Sequence, residues 1–178
     1  RSTLFPYTTP FYYKGVSDEG LYRNYAEIIE RVGDSGLRIY LYHIPPIAQV
    51  GISPDLIERL VKEYPGIVVG IKDSSGDWAN TQAMHDRQWD DFHIFVGSES
   101  LLLANMRAGG AGCISATANV NPAAIHRLYE EWQDPSADRQ QAALNELRDL
   151  VQGSAVGREG VDELEQIAAL LEAQGYSA

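Results

Sequence analysis

The stretch Gly66-Ile67-Val68-Val69-Gly70-Ile71-Lys72-Asp73-Ser74-Ser75-Gly76 constrains this chain more than any other. Mostly β-branched apolar positions run straight into one lysine, and a polar, glycine-closed loop follows at once. A continuous apolar run of this kind predicts a strand buried on both faces. Lys72, at its last position, lies where the strand leaves the core. Burial disfavours the ammonium form, which makes such a lysine a usable amine nucleophile. A strand-end lysine that snorkels to solvent is the plain structural reading of the same residue.

The surrounding pattern alternates strand and helix. Ser17 predicts a helix cap, with Asp18 and Glu19 in the first turn and Leu21, Tyr25, Ile28, Ile29 and Val32 on one face. Gly33 and Gly36 end that helix. Arg38 to Ile44 reads as a strand stopped by Pro45-Pro46. Ser53-Pro54 opens a second helix through Leu56, Ile57, Leu60 and Val61. Beyond the lysine strand, Asp77 caps a helix, and Phe92 to Val96 is a further strand ending at Gly97-Ser98-Glu99-Ser100. A Leu-rich helix runs on to Gly109-Gly110, Gly112 to Ser115 is a short strand, and Asn121-Pro122 opens a helix. The tail carries two amphipathic segments separated by a break at Gly153 to Gly160. With a strand ending at Lys14, five strands are countable, and the alternation predicts a parallel sheet. Five strands fit either an open doubly wound sheet or the back part of a (β/α)8 barrel, which needs eight.

Partners are bounded by charge. The net charge of −11 over 178 residues argues against nucleic acid or an anionic membrane surface. Cys113 is the only cysteine, so there is no disulfide framework and no thiolate metal site, and a reducing, cytoplasmic compartment is the default. No apolar run approaches a membrane span, and no signal peptide is visible at Arg1.

Tyr42 sits near the C-terminal end of its strand, one βα unit before Lys72. In a parallel sheet these ends are neighbours on the same rim. A phenol beside an amine nucleophile supplies a proton donor and acceptor for making and breaking a Schiff base. A structural tyrosine hydrogen-bonded at the rim satisfies the same spacing.

Tyr42-His43-Ile44-Pro45, the segment Gly70 to Gly76, and Gly112-Cys113-Ile114-Ser115-Ala116-Thr117-Ala118-Asn119-Val120 together resemble the dihydrodipicolinate synthase/N-acetylneuraminate lyase family. That family comprises Schiff-base aldolases and lyases on a TIM barrel. The resemblance implies an α/β fold: a partial TIM (β/α)8 barrel of about the last five βα units, plus C-terminal helices. It implies that Lys72 forms a Schiff base with pyruvate or another 2-oxo acid, and that Tyr42 relays protons. It also implies substrate contacts at Gly97, Glu99 and Ser100, with Ile114 and Thr117 shaping the pyruvate end. No cofactor and no metal is implied, and the full-length parent is expected to be a homo-oligomer, a tetramer or dimer. Residues 1–9 have no clear period and start abruptly, so a non-native leader is expected there; the resemblance implies 10–133 as barrel and 134–178 as C-terminal helices.

Departures narrow the expected reaction. Pro46, Ile47 and Ala48 follow the Tyr-x-x-Pro motif where synthases condensing an aldehyde carboxylate carry arginine. The loop reads Gly-Ser-Glu-Ser where sialic acid lyases show Gly-x-Asp-Glu. A 2-oxo-acid aldolase or dehydratase acting on a sugar-acid or hydroxy-oxo-acid substrate fits better. His43 replaces the family's common asparagine and is read as structural or loop-orienting, and His85, His93 and His126 lack ligand spacing. The family's first three strands, with their carboxylate-holding Thr-Thr pair and a second relay tyrosine, have no counterpart. A catalytically inactive truncated chain or non-catalytic relative is therefore the competing expectation.

Overall fold

The structure, a computed structural model, describes residues 15–156, with side chains through Val151. The expected strand at Pro10 to Lys14 and the amphipathic segment from Val161 to Leu171 lie outside the described residues. The chain divides into two compact units with the boundary between Ile94 and Phe95.

In the first unit, helix α1 (Asp18–Val32) begins where the Ser17 hydroxyl accepts the Gly20 N–H at 3.3 Å, and ends at Gly33. Gly33 has φ +61°, a left-handed conformation that glycine adopts without steric cost. Strand β1 (Ile39–His43) leads into the short helix α2 (Pro45–Ala48). Helix α3 (Pro54–Glu63) starts from the Ser53 cap and its N1 proline, with Leu56, Ile57 and Leu60 buried. Strand β2 (Val68–Asp73) runs one residue past the expected end, so Lys72 is its penultimate position. The Asp77 carboxylate accepts the Ala79 N–H at 2.9 Å and caps helix α4 (Trp78–His85).

β1 and β2 pair in parallel, with Leu41 opposite Ile71, Tyr42 opposite Lys72 and His43 opposite Asp73. Alternation along each strand sends Leu41, His43, Ile71 and Asp73 to the buried, helix-covered face. Tyr40 and Tyr42 fall on the other face and are half exposed. The core under the helices gathers Ile29, Leu56, Ile57, Leu60 and Met84 around the two strands. α1 meets it through Tyr22, Ala26 and Ile29, so Ile28 and Val32, expected on the packed face, stand 46% and 53% exposed. The contact stripe is rotated because α3 lies to one side of α1. There Arg59 stacks 3.3 Å over the Tyr22 ring and pairs with Glu19 at 2.7 Å. These ion pairs are exposed and add little stability.

Strand β3 (His93–Val96) begins in the first unit and ends in the second. Within the second unit, Phe95 and Val96 pair in parallel with Gly112 and Cys113 of β4 (Gly112–Cys113). β4 is shorter than expected because the Ser115 hydroxyl caps a 3-10 turn over Ala116–Asn119 and takes the chain out of the ladder. A 3-10 turn over Glu99–Leu101 leads into α5 (Leu102–Arg107), and α6 (Pro122–Glu130) and α7 (Ala137–Val156) follow. Leu102, Leu103, Ile125, Leu128 and Leu144 form their core. The break was expected over Gly153 to Gly160: α7 continues through Gly153 to Val156, and the rest of that range lies outside the described residues. A glycine inside a helix costs only about 1 kcal/mol, and the turns before it are anchored by buried Leu144 and Leu147.

Candidate active site

The pairing of β1 with β2 brings Lys72 and Tyr42 to one level of the ladder and one face of it. The Lys72 ammonium donates to the Tyr42 phenol oxygen at 3.2 Å and lies 4.3 Å from that ring's centroid. Burial by itself raises the phenol's pKa. Hydrogen bonds from Lys72 and Ser74, with the Lys72 charge, outweigh it and hold Tyr42 below the ordinary phenol value. An amine and a phenol this close can pass a proton between them.

One layer down the same face, Gly70 lies beneath Tyr40. A Cβ on Gly70 would meet the Tyr40 ring at 2.5 Å and the His93 carbonyl oxygen at 2.6 Å. The missing side chain lets Tyr40 lie across the strand and stack on His93, centroids 6.4 Å apart. The Lys72–Tyr42 pair thus stands on an aromatic floor.

On the opposite face, Asp73 anchors the loop that follows Lys72. It is 2% exposed and accepts from the Ser75 N–H at 2.9 Å, Asn80 at 3.0 Å and the Thr81 hydroxyl at 2.7 Å. Next to it, buried His43 accepts the Ile52 N–H on Nδ1 at 3.0 Å, and its carbonyl accepts the Ser74 N–H at 2.7 Å. Burial pushes the imidazole below its usual value, against the pull of the Asp73 charge. His43 thus orients the loop after β1. Sequence reasoning did not single out Gly70, Asp73, Asn80 or Thr81. The signal for the last three is an acid at a strand end followed, seven and eight residues on, by polar side chains in the next helix's first turn.

The remaining sequence-predicted residues lie in the second unit. Gly97 follows β3 directly. Ser98 caps the next turn, its hydroxyl accepting the Ser100 N–H at 3.2 Å and lying 2.6 Å from the Ser100 hydroxyl. Glu99 is fully buried and takes the hydroxyl of Ser115, with Arg148 3.5 Å away. Thr117 is buried, its N–H donating to the Ser115 hydroxyl at 3.1 Å, and Ile114 is half exposed. The Cys113 thiol is pushed up to about 12 by burial, with the Glu99 charge adding to it, so it is a weak nucleophile. His85 lies against Trp78, His93 stacks on Tyr40, and His126 sits 3.5 Å from Glu130.

The chain is similar to known proteins. The chain is 34% identical over 139 residues to 4-hydroxy-tetrahydrodipicolinate synthase of Methanopyrus kandleri, covering 78% of this chain and 45% of that one. It is 41% identical over 120 residues to the enzyme of that name from Thermus thermophilus, covering 67% and 39%. A prophage protein of the dihydrodipicolinic acid synthase family from E. coli K12, solved in complex with pyruvate, superposes with a TM-score of 0.71 at 25% identity. That superposition covers 79% of this chain and 48% of the other. The chain spans less than half the length of these relatives. Among the described residues, no helix is long and apolar enough to cross a membrane. The family model for the dihydrodipicolinate synthetase family matches residues 6–171, and the chain belongs to that family, folded as part of its (β/α)8 barrel.

Proposed function

We propose that this protein is a Schiff-base lyase acting on pyruvate or a related 2-oxo acid, with Lys72 as the amine and Tyr42 as the proton relay. The observation that carries the reading is the 3.2 Å contact between the two side chains on facing strands. Lys72 adds to the ketone carbon as the free amine while the Tyr42 phenol protonates the developing alkoxide, and the phenolate so formed accepts the proton that the nitrogen loses. Loss of water from the adduct, protonated by Tyr42, leaves a protonated imine. The C–C bond two atoms from the nitrogen can then break, its electron pair flowing into the imine to give an enamine. The hydroxyl proton of the departing aldehyde fragment goes to Tyr42. Run backwards, the same steps form the bond.

The Tyr42 pKa direction supports this role, since a phenol below its ordinary value is a better shuttle near neutral pH. The absence of arginine after Tyr42-His43-Ile44-Pro45 favours a sugar-acid or hydroxy-oxo-acid substrate over an aldehyde carboxylate. Gly97, Ser100, Ile114 and Thr117 carry over as substrate contacts on the family resemblance. So do a homo-oligomer for the full-length protein and the division into barrel residues 10–133 and helices 134–178, while the single cysteine supports a cytoplasmic location. Borohydride reduction in the presence of pyruvate tests the reading, because it freezes an imine that otherwise hydrolyses.

A further inference from the structure

Glu99 opens the turn after β3 and its side chain is 0% exposed. Its Oε2 accepts the Ser115 hydroxyl and faces Arg148 Nη1 at 3.5 Å, while Oε1 has no hydrogen-bond partner among the described residues. Ser115 Oγ in turn accepts the Thr117 N–H at 3.1 Å. A hydroxyl has one proton to give and lone pairs to accept with. The Ser115 proton is therefore committed to Glu99, and a lone pair is left facing the Thr117 N–H. The polarity of the relay is fixed from its buried end. A buried carboxylate also needs a compensating charge, and α7 supplies it through Arg148. Two turns earlier on α7, Gln141 donates to the Glu99 carbonyl at 2.9 Å and accepts the Leu103 N–H at 3.0 Å. Helix α7 is thus tied to this turn through both backbone and side chain.

We propose that Glu99 is a positioning residue rather than a substrate contact. Acting through Ser115, it sets the Ala116–Asn119 turn that presents Thr117, and α7 is part of that scaffold through Arg148 and Gln141. The kinetic consequence rests on reading Thr117 as a substrate residue, whereas the positioning itself does not.

Amide hydrogen exchange at Thr117 in this chain reads the positioning without turnover. Ser115→Ala removes the relay and leaves the buried charge pair intact, and Ser115→Thr restores the hydroxyl. The double variant Glu99→Met/Arg148→Met replaces the pair by apolar side chains of similar length, an exchange that buried pairs often tolerate. Ser115→Ala is expected to raise Thr117 exchange about 3- to 10-fold, the scale of one lost hydrogen bond. The double variant shifts it the same way, and Ser115→Thr returns it to the wild-type rate. In turnover assays with 2-oxo acids, both disruptive variants raise KM by a similar factor at unchanged kcat. Wild-type exchange at Thr117 in Ser115→Ala, or in the folded double variant, overturns the proposal, as does a loss confined to kcat. If the double variant does not fold, Ser115→Ala decides alone. A wild-type protein that forms no imine with pyruvate sinks the lyase reading and leaves the exchange result standing.

Discussion

Tyr42 and Lys72 are register partners on parallel strands, and the amine of one lies 3.2 Å from the phenol oxygen of the other. Their separation in sequence is one βα unit, and the ladder converts it into contact. If the phenol relays protons while the amine forms the bond, the two roles separate by mutation. Tyr42→Phe should slow turnover by about 10²–10⁴-fold, the scale of a lost general acid–base group. Imine formation at Lys72 should survive in that variant. Steady-state kinetics beside adduct trapping reads both, and equal loss of the two would contradict the division of labour.

The phenol should also titrate early. Burial raises its pKa, and the hydrogen bonds from Lys72 and Ser74 with the Lys72 charge more than reverse that. The sequence holds ten tyrosines, so ultraviolet difference titration of wild type against Tyr42→Phe isolates this one. Its component should ionise below the unperturbed value of about 10. Ser74→Ala should move it upward by removing one of the bonds that favour phenolate. An unchanged component in Ser74→Ala would show that the serine contributes nothing.

His43 predicts an acid-sensitive step in stability. Its folded pKa lies below the unfolded value because burial penalises the imidazolium. A base shifted downward contributes stability that is fully present above the unfolded value of about 6.5 and lost as pH falls through the folded one. Urea midpoints should therefore decline as pH drops below about 6.5. His43→Asn can still accept the Ile52 N–H and should flatten that decline. Equal pH dependence in the two proteins would assign the loss to other groups.

Gly70→Ala tests the aromatic floor. The new methyl would stand 2.6 Å from the backbone carbonyl of His93, which cannot rotate away as the Tyr40 ring can. Overpacking of this kind costs about 1–3 kcal/mol. Thermal or urea unfolding measures it, and a neutral substitution would mean that the strands separate locally at little cost.

Local chemistry in this chain is legible residue by residue. Ser17, Ser53 and Asp77 cap the helices that their positions predict, and the apolar run before Lys72 is a strand. The Tyr42–Lys72 contact follows from strand periodicity and one βα spacing. What stayed hidden depends on partners brought in from elsewhere. Ile28 and Val32 satisfy the helical period of α1, yet the neighbouring helix lies to one side of them. The same holds for Asp73, whose donors arrive on α4, and for Glu99, which reads as a loop acid until α7 covers it. Gly153 reads as a breaker because propensity is local, whereas the burial of Leu144 and Leu147 is not.

The most direct measurement is the mass of the protein after borohydride reduction with pyruvate or a panel of 2-oxo acids, localised by peptide mapping. A reduced adduct on Lys72, absent in Lys72→Ala, is the predicted result. Lys14 and Lys62 are the other lysines in the sequence, and Lys62 pairs with Glu58 on the exposed face of α3 and should not take up the mass. No adduct with any 2-oxo acid in the full-length protein, or an adduct that survives Lys72→Ala, would contradict the Schiff-base assignment and favour a non-catalytic member of the family.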